Sequence, residues 1–221
     1  MLKKFLSLFA IIFFIGTQSV LAQEEFDEDF QSRPVDRERI AVIIDTPGGS
    51  HAEPEAIYKA ARSLMSDILV DKDHLYVLPL ENVDAYVQIY REEHDIDVPV
   101  ADAVRNSDVK PALKRSNLFE LGNFLKSKYI IYMRMTTSAP GSSYGFFHAS
   151  KRTNVSTDFR IWSQEKRNFI YAKRYQLTGV SRTYVLFGLG NGSSHNAAEH
   201  GASKAFREIR TDLETIRSMI N

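Results

Sequence analysis

The hydrophobic period of this chain changes once, and that change constrains the fold more than any motif. Up to about residue 127, short apolar runs alternate with segments whose apolar residues recur at helical spacing. RIAVIID (39–45) is a β-branched run closed by Thr46-Pro47-Gly48-Gly49, which predicts a buried strand and a turn. Residues 53–69 place Ile57, Ala60, Ala61, Leu64, Ile68 and Leu69 on one helical face. HLYVLPL (74–80) predicts a second strand. Residues 83–94, a short piece at 98–107, and 109–127 predict further helices. From Tyr129 the period becomes two. YIIYMRMTT (129–137) and the alternation Val155, Thr157, Phe159, Ile161 predict strands. A polar turn at 163–168 leads into a return strand over 169–183. In that strand Phe169, Tyr171, Lys173 and Tyr175 alternate with Ile170, Ala172 and Arg174. One amphipathic helix over 197–220 closes the chain. The order βαβα(α)βββα predicts a single α/β (α+β) domain over 39–221, with a mixed β-sheet and helices packed on it.

What precedes that domain sets the compartment. Lys3 and Lys4, an apolar run at 6–16 and Val20-Leu21-Ala22 spell a cleavable signal peptide over 1–22. The apolar run is shorter than the ~20 residues a spanning helix needs. QEEFDEDFQSRPVDRE (23–38) reads as an acidic flexible linker. The chain has 28 Lys+Arg against 28 Asp+Glu, and loss of the leader removes two lysines. A near-neutral exported protein presents no bulk electrostatic case for nucleic acid. It has no cysteine, which excludes disulfides, a thiolate nucleophile, a Cys-based zinc site and the lipidated Cys of a lipobox. The expected location is periplasmic or secreted.

Two patterns suggest chemistry and fail on spacing. Gly188, Gly190 and Gly192 lie before the last helix. The dinucleotide loop needs G-x-G-x-x-G after a first strand, and a Walker loop needs Lys-Ser/Thr after its last glycine. Neither is met, so a flexible joint is expected, with Ser193, Ser194 or Asn196 capping the helix. His195, Glu199 and His200 approach the inverted zincin motif H-x-x-E-H. The two histidines are one residue too far apart, which turns them ~140° from each other on a helix. A looser set, His51, His148 and His195 with Asp45, could ligate zinc if the strand ends converge. With Glu199 it defines the alternative of a metal-dependent hydrolase. No cofactor is expected. Glu92-Glu93 with Arg91 reads as a solvated helix end. Tyr129, Tyr132, Tyr171 and Tyr175 read as core and cross-strand residues. Arg39, Arg160, Arg174 and Arg182 are scattered in sequence, and G-x-S-x-G and H-E-x-x-H are absent.

The aromatic loops favour binding. Alternating strand directions put 138–150 and 184–196 at one end of the sheet, with DTPGGSH (45–51) beside them if the first strand is parallel to 129–137. Both segments are Gly/Ser-rich. One carries Tyr144, Phe146 and Phe147; the other carries Tyr184, Leu186, Phe187 and Leu189. Such residues on turns suit a contact surface. The expected partner is an envelope protein or a second copy of the chain, with peripheral membrane docking as a further alternative.

LGNFLKSKYIIYMRM (121–135) resembles the helix-then-strand segment of a group of periplasmic α/β domains. These are the N-terminal domain of the Tol-system propeller protein, the curli-export lipoprotein and the lipoprotein activators of penicillin-binding proteins. RIWSQEKRNFIYAKRY (160–175) is similar to their hairpin. The resemblance spans most of 39–220. It departs in having no lipobox Cys and no propeller or pore domain after it. It implies a non-enzymatic, protein-binding role in the cell envelope.

Overall fold

Five of the eight residues of β1 (Glu38–Asp45, ERIAVIID) are buried, because helices cover both of its faces. The computed structural model describes residues 37–46, 54–96, 112–144, 148–184 and 193–220, with backbone alone at 144, 148, 183 and 184. Glu38–Asn221 forms one compact unit. After β1 come α1 (Pro54–Ile68), β2 (Leu75–Val77), α2 (Leu80–Glu93), α3 (Arg115–Phe124) and β3 (Ser127–Thr137). Then follow β4 (Gly141–Tyr144), β5 (His148–Ser163), β6 (Asn168–Tyr184), α4 (Ser194–Thr211) and α5 (Leu213–Met219).

β1 lies between β2 and β3 and is parallel to both. β3 and β5 are antiparallel, as are β5 and β6. A strand has two hydrogen-bonding edges. β6 occupies the whole of one edge of β5, so β3 and β4 share the other. Between Thr137↔Val155 and Gly141↔Arg152 the β3–β4 side holds one extra residue. That bulge contains Pro140, which has no N–H to donate. The Ser138 N–H donates to Asn154 O at 2.9 Å, and the Thr153 hydroxyl donates to Ser138 O at 2.7 Å.

The main core lies on one face, under α1, α4 and α5. Ile40, Val42, Ile131, Met133, Phe159 and Ile161 meet Ala61, Leu64, Ala202, Phe206 and Ile209 there. The opposite face carries α2 over β1 and α3 over β3. Val87, Leu118, Leu121 and Leu125 are buried with Ile130, Tyr132 and Trp162, the residues of β3 and β5 that alternate onto this face.

The differences from expectation have local causes. β2 has only three residues, because Pro79 ends it and the next residue starts α2. α3 starts at Arg115, with Leu113 buried ahead of it. The C-terminal helix breaks at Asp212 into α4 and α5. The expected loop 138–150 is mostly strand, since β4 and the first residues of β5 pair across it. The expected helical piece at 98–107 lies outside the described residues.

Candidate functional site

The face beneath α2 and α3 carries a row of alternating charge across four neighbouring strands. Asp45 pairs in register with Arg134, Arg134 with Asp158, and Asp158 with Arg174. Opposite charges directly across a sheet attract at short range. At the inner end Asp45 is buried. Its Oδ2 accepts from Arg91 Nη2 at 3.1 Å, Arg134 Nη1 at 2.8 Å and the Tyr132 hydroxyl at 2.7 Å. Burial, then the Asp45 charge, pushes the Tyr132 hydroxyl up to about 12, so it stays a donor. Arg91 is 4% exposed and turns inward from the last turn of α2. The solvated end expected at 91–93 therefore holds for Glu92 and Glu93 but not for Arg91, which a buried carboxylate draws in.

The outer end of the row is open. Arg174 clasps Asp158 in a two-pronged contact at 2.6 and 3.0 Å, and Arg160 adds a longer one at 3.4 Å. The Arg174 guanidinium holds the Asp158 carboxyl below the usual carboxylate range, against the opposing effect of burial. Here β5, β6 and the segment leading into α3 enclose an open groove of about 580 Å³. Lys114 and Arg115 form one wall; Asp158, Arg160, Phe169, Ala172 and Arg174 line the rest. Lys173 also borders it, but its ammonium is on Asp212 at 2.6 Å, with the Tyr171 and Tyr175 hydroxyls.

Phe169 reaches the groove through a bulge. Ile161 pairs with Tyr171, but Trp162 pairs with Phe169, which leaves Ile170 as an extra residue. One extra residue moves a side chain to the other face of a sheet. Phe169 therefore joins Ala172 and Arg174, not Tyr171 and Lys173 as simple alternation predicts. The guanidinium carbons of Arg115 and Arg160 lie 5.6 and 5.5 Å from its ring centroid, and Trp162 meets it edge-on at 5.4 Å. The hairpin turn is locked beneath α3. Gln164 accepts from the Trp162 indole at 2.9 Å and donates to Phe119 O and Asn123 Oδ1.

Sequence distance hid this site. Arg160 and Arg174 are scattered in sequence, yet the hairpin brings both onto Asp158. Pairing outward from the polar turn points to that neighbourhood, because Asp158 and Arg174 lie at similar distances from it.

The expected contact residues sit elsewhere. β4, β5 and β6 run on past the end of β1, and Tyr144 pairs with Ala149 while His148 pairs with Tyr184. The backbones of Tyr144, His148 and Tyr184 thus share one end of the sheet. Phe146, Phe147, Leu186, Phe187 and Leu189 lie outside the described residues, as do Gly188, Gly190, Gly192 and His51.

The histidine sets separate. Asp45 is level with Asp158 across the sheet, and His148 is ten residues farther along β5, ~33 Å at strand rise. Asp45 therefore does not join His148. Ser193 caps α4, accepting from the Asn196 N–H at 3.2 Å. His195 pairs with Glu199 at 3.3 Å, one turn on, while His200 turns to Val180 O at 2.9 Å. No group of three metal-ligating side chains occurs among the described residues. No helix among them is long and apolar enough to cross a membrane.

No protein-family model matches the chain, and no curated protein matches it. The fold is similar to lipoprotein GNA1162 from Neisseria meningitidis, at 12% identity and a TM-score of 0.35, over 79% of this chain and 99% of that one. It is similar to the hypothetical protein CT253 from Chlamydia trachomatis, at 13% identity and 0.38, over 82% and 99%. It is also similar to the LpoB C-terminal domain from Salmonella enterica, at 8% identity and 0.31, over 69% and 91%. Identities and scores this low leave partner, ligand and anchoring to be read from this chain's own residues.

Proposed function

We propose that this chain is an exported, non-enzymatic binding or assembly protein of the bacterial cell envelope. It meets a protein partner through the sheet end bounded by 138–150 and 184–196. The observation that carries this reading is the extension of β4, β5 and β6 past the end of β1, which leaves Tyr144, His148 and Tyr184 on adjacent strands. The sequence supports it further. Phe146, Phe147, Leu186, Phe187 and Leu189 follow directly on those strand ends. Aromatic and large apolar side chains on turns are the usual centre of a protein–protein contact. The signal-like segment 1–22 supports export.

Crosslinking of the tagged chain in its native host tests the surface. Phe146→Asp/Phe187→Asp should abolish the wild-type crosslinks while circular dichroism stays unchanged. Identical crosslinks from wild type and variant would remove this surface from the function.

A further inference from the structure

We propose that the groove between the segment leading into α3 and the β5–β6 hairpin is a binding site for an oxyanion, a phosphoryl or carboxylate group. It is a second site. Asp158 lies ten residues along β5 from His148, ~33 Å from the end where the protein contact is proposed.

The charge balance of the groove carries the inference. Among the described residues, Lys114, Arg115, Arg160 and Arg174 line it with one carboxylate, Asp158. Arg174 takes both oxygens of that carboxylate at short range, and Arg160 reaches it only at 3.4 Å. Arg115 and Arg160 converge instead on the ring of Phe169. An aromatic face orients a guanidinium without neutralising it. The result is a positively charged cleft with two guanidiniums held near one aromatic ring. Guanidinium forks match phosphate and carboxylate oxygens in geometry as well as charge. The volume, about 580 Å³, suits a small ligand or the acidic end of a larger one.

The arrangement is built by several elements together. The bulge at Ile170 delivers Phe169, the Gln164 latch fixes the hairpin turn under α3, and α3 carries Arg115. Asp158 also sets the position of Arg174, whose side chain remains 58% exposed at the mouth of the groove. An arriving oxyanion meets Lys114, Arg115 and Arg160 with Arg174 already held beside them.

Trp162 is the one tryptophan of the chain and lies edge-on to Phe169, so its fluorescence reports on the groove. The full-length protein is titrated with inorganic pyrophosphate and, separately, with citrate, at ionic strength held constant with potassium chloride. A saturable change in Trp162 emission is expected with at least one probe, and the tighter probe identifies the group as phosphoryl or carboxylate. Arg115→Gln/Arg160→Gln should weaken binding by about tenfold or more. Arg115→Gln alone, at an exposed position that leaves the core untouched, should weaken it by about threefold. Lys204→Gln, on α4 at the opposite face, should leave it unchanged. No saturable change with either probe would overturn the proposal. So would Arg115→Gln binding as wild type does, or Lys204→Gln weakening binding equally.

Discussion

Thr157 shows how far a single residue can be read. Its alternation with Val155 and Phe159 correctly turns it inward. Its hydroxyl is then buried on the core face without a hydrogen-bond partner among the described residues, as is that of Ser127. A buried polar group left unpaired costs ~1–3 kcal/mol. Thr157→Val keeps the shape and removes the hydroxyl. It should raise unfolding free energy by about 1 kcal/mol in urea titration; a loss would mean the hydroxyl has a partner in solution. Other residues needed the fold for their reading. Arg91 reads as a helix-surface cation, and only the buried Asp45 explains why it is 4% exposed. Tyr132 reads as core, and its hydroxyl proves to be one of three donors on Asp45.

α4 crosses the β5–β6 ribbon at close range. Gly179 in β6 and Gly201 in α4 face each other across that crossing, within a run of small residues at Ala197, Ala198, Ala202 and Ala205. A Cβ on Gly179 would collide with the backbone carbonyl of Ala197, and one on Gly201 with the side chain of Val155. Backbone cannot retreat as a flexible side chain can. Gly179→Ala should therefore destabilise the fold by roughly 3 kcal/mol and lower its thermal midpoint. A midpoint equal to wild type would show that the helix can lift off the ribbon. The small-residue face of α4 stands in the sequence, but its target does not. An isolated glycine in a strand signals close backbone approach without naming the partner. Gly and Ser at 141–143 suggest a loop, and pairing with β5 makes them strand β4. β6 pairs with β5 alone among the described residues, and exposed Lys173, Arg174, Gln176 and Thr178 line it. Charged and polar side chains of this kind deter edge-to-edge pairing.

At the scale of the whole molecule, two carboxylates tie the last strand to the rest. Asp158 joins β6 to β5 through Arg174. Asp212 joins it to the α4–α5 junction through Lys173, Tyr175 and Tyr171. Both carboxyls are held below the usual range, Asp158 chiefly by Arg174 and Asp212 chiefly by Lys173. A carboxylate with a depressed folded-state pKa stabilises fully above its unfolded value of ~3.9, and that contribution fades as pH falls through the lower folded value. Urea midpoints should therefore drop between pH 5 and pH 3 on about the scale of carboxylate titration. Arg174→Gln should start lower at pH 7 and fall less, so that the gap to wild type narrows at pH 3. A constant gap would show that Arg174 does not act through the Asp158 charge. Legible along the chain are the order of the elements apart from β4 and the break between α4 and α5, the buried faces of most of them, the polar hairpin turn and the failure of the phosphate-loop spacing. These depend on period and on local backbone chemistry, which neighbours along the chain set. The folded chain alone shows that Asp45, Arg134, Asp158 and Arg174 form one row, that a bulge turns Phe169 into a groove, and that Gly179 meets Gly201. Those facts depend on strand register and on one-residue insertions. Such an insertion changes little in the local pattern, yet it reverses which face a side chain occupies.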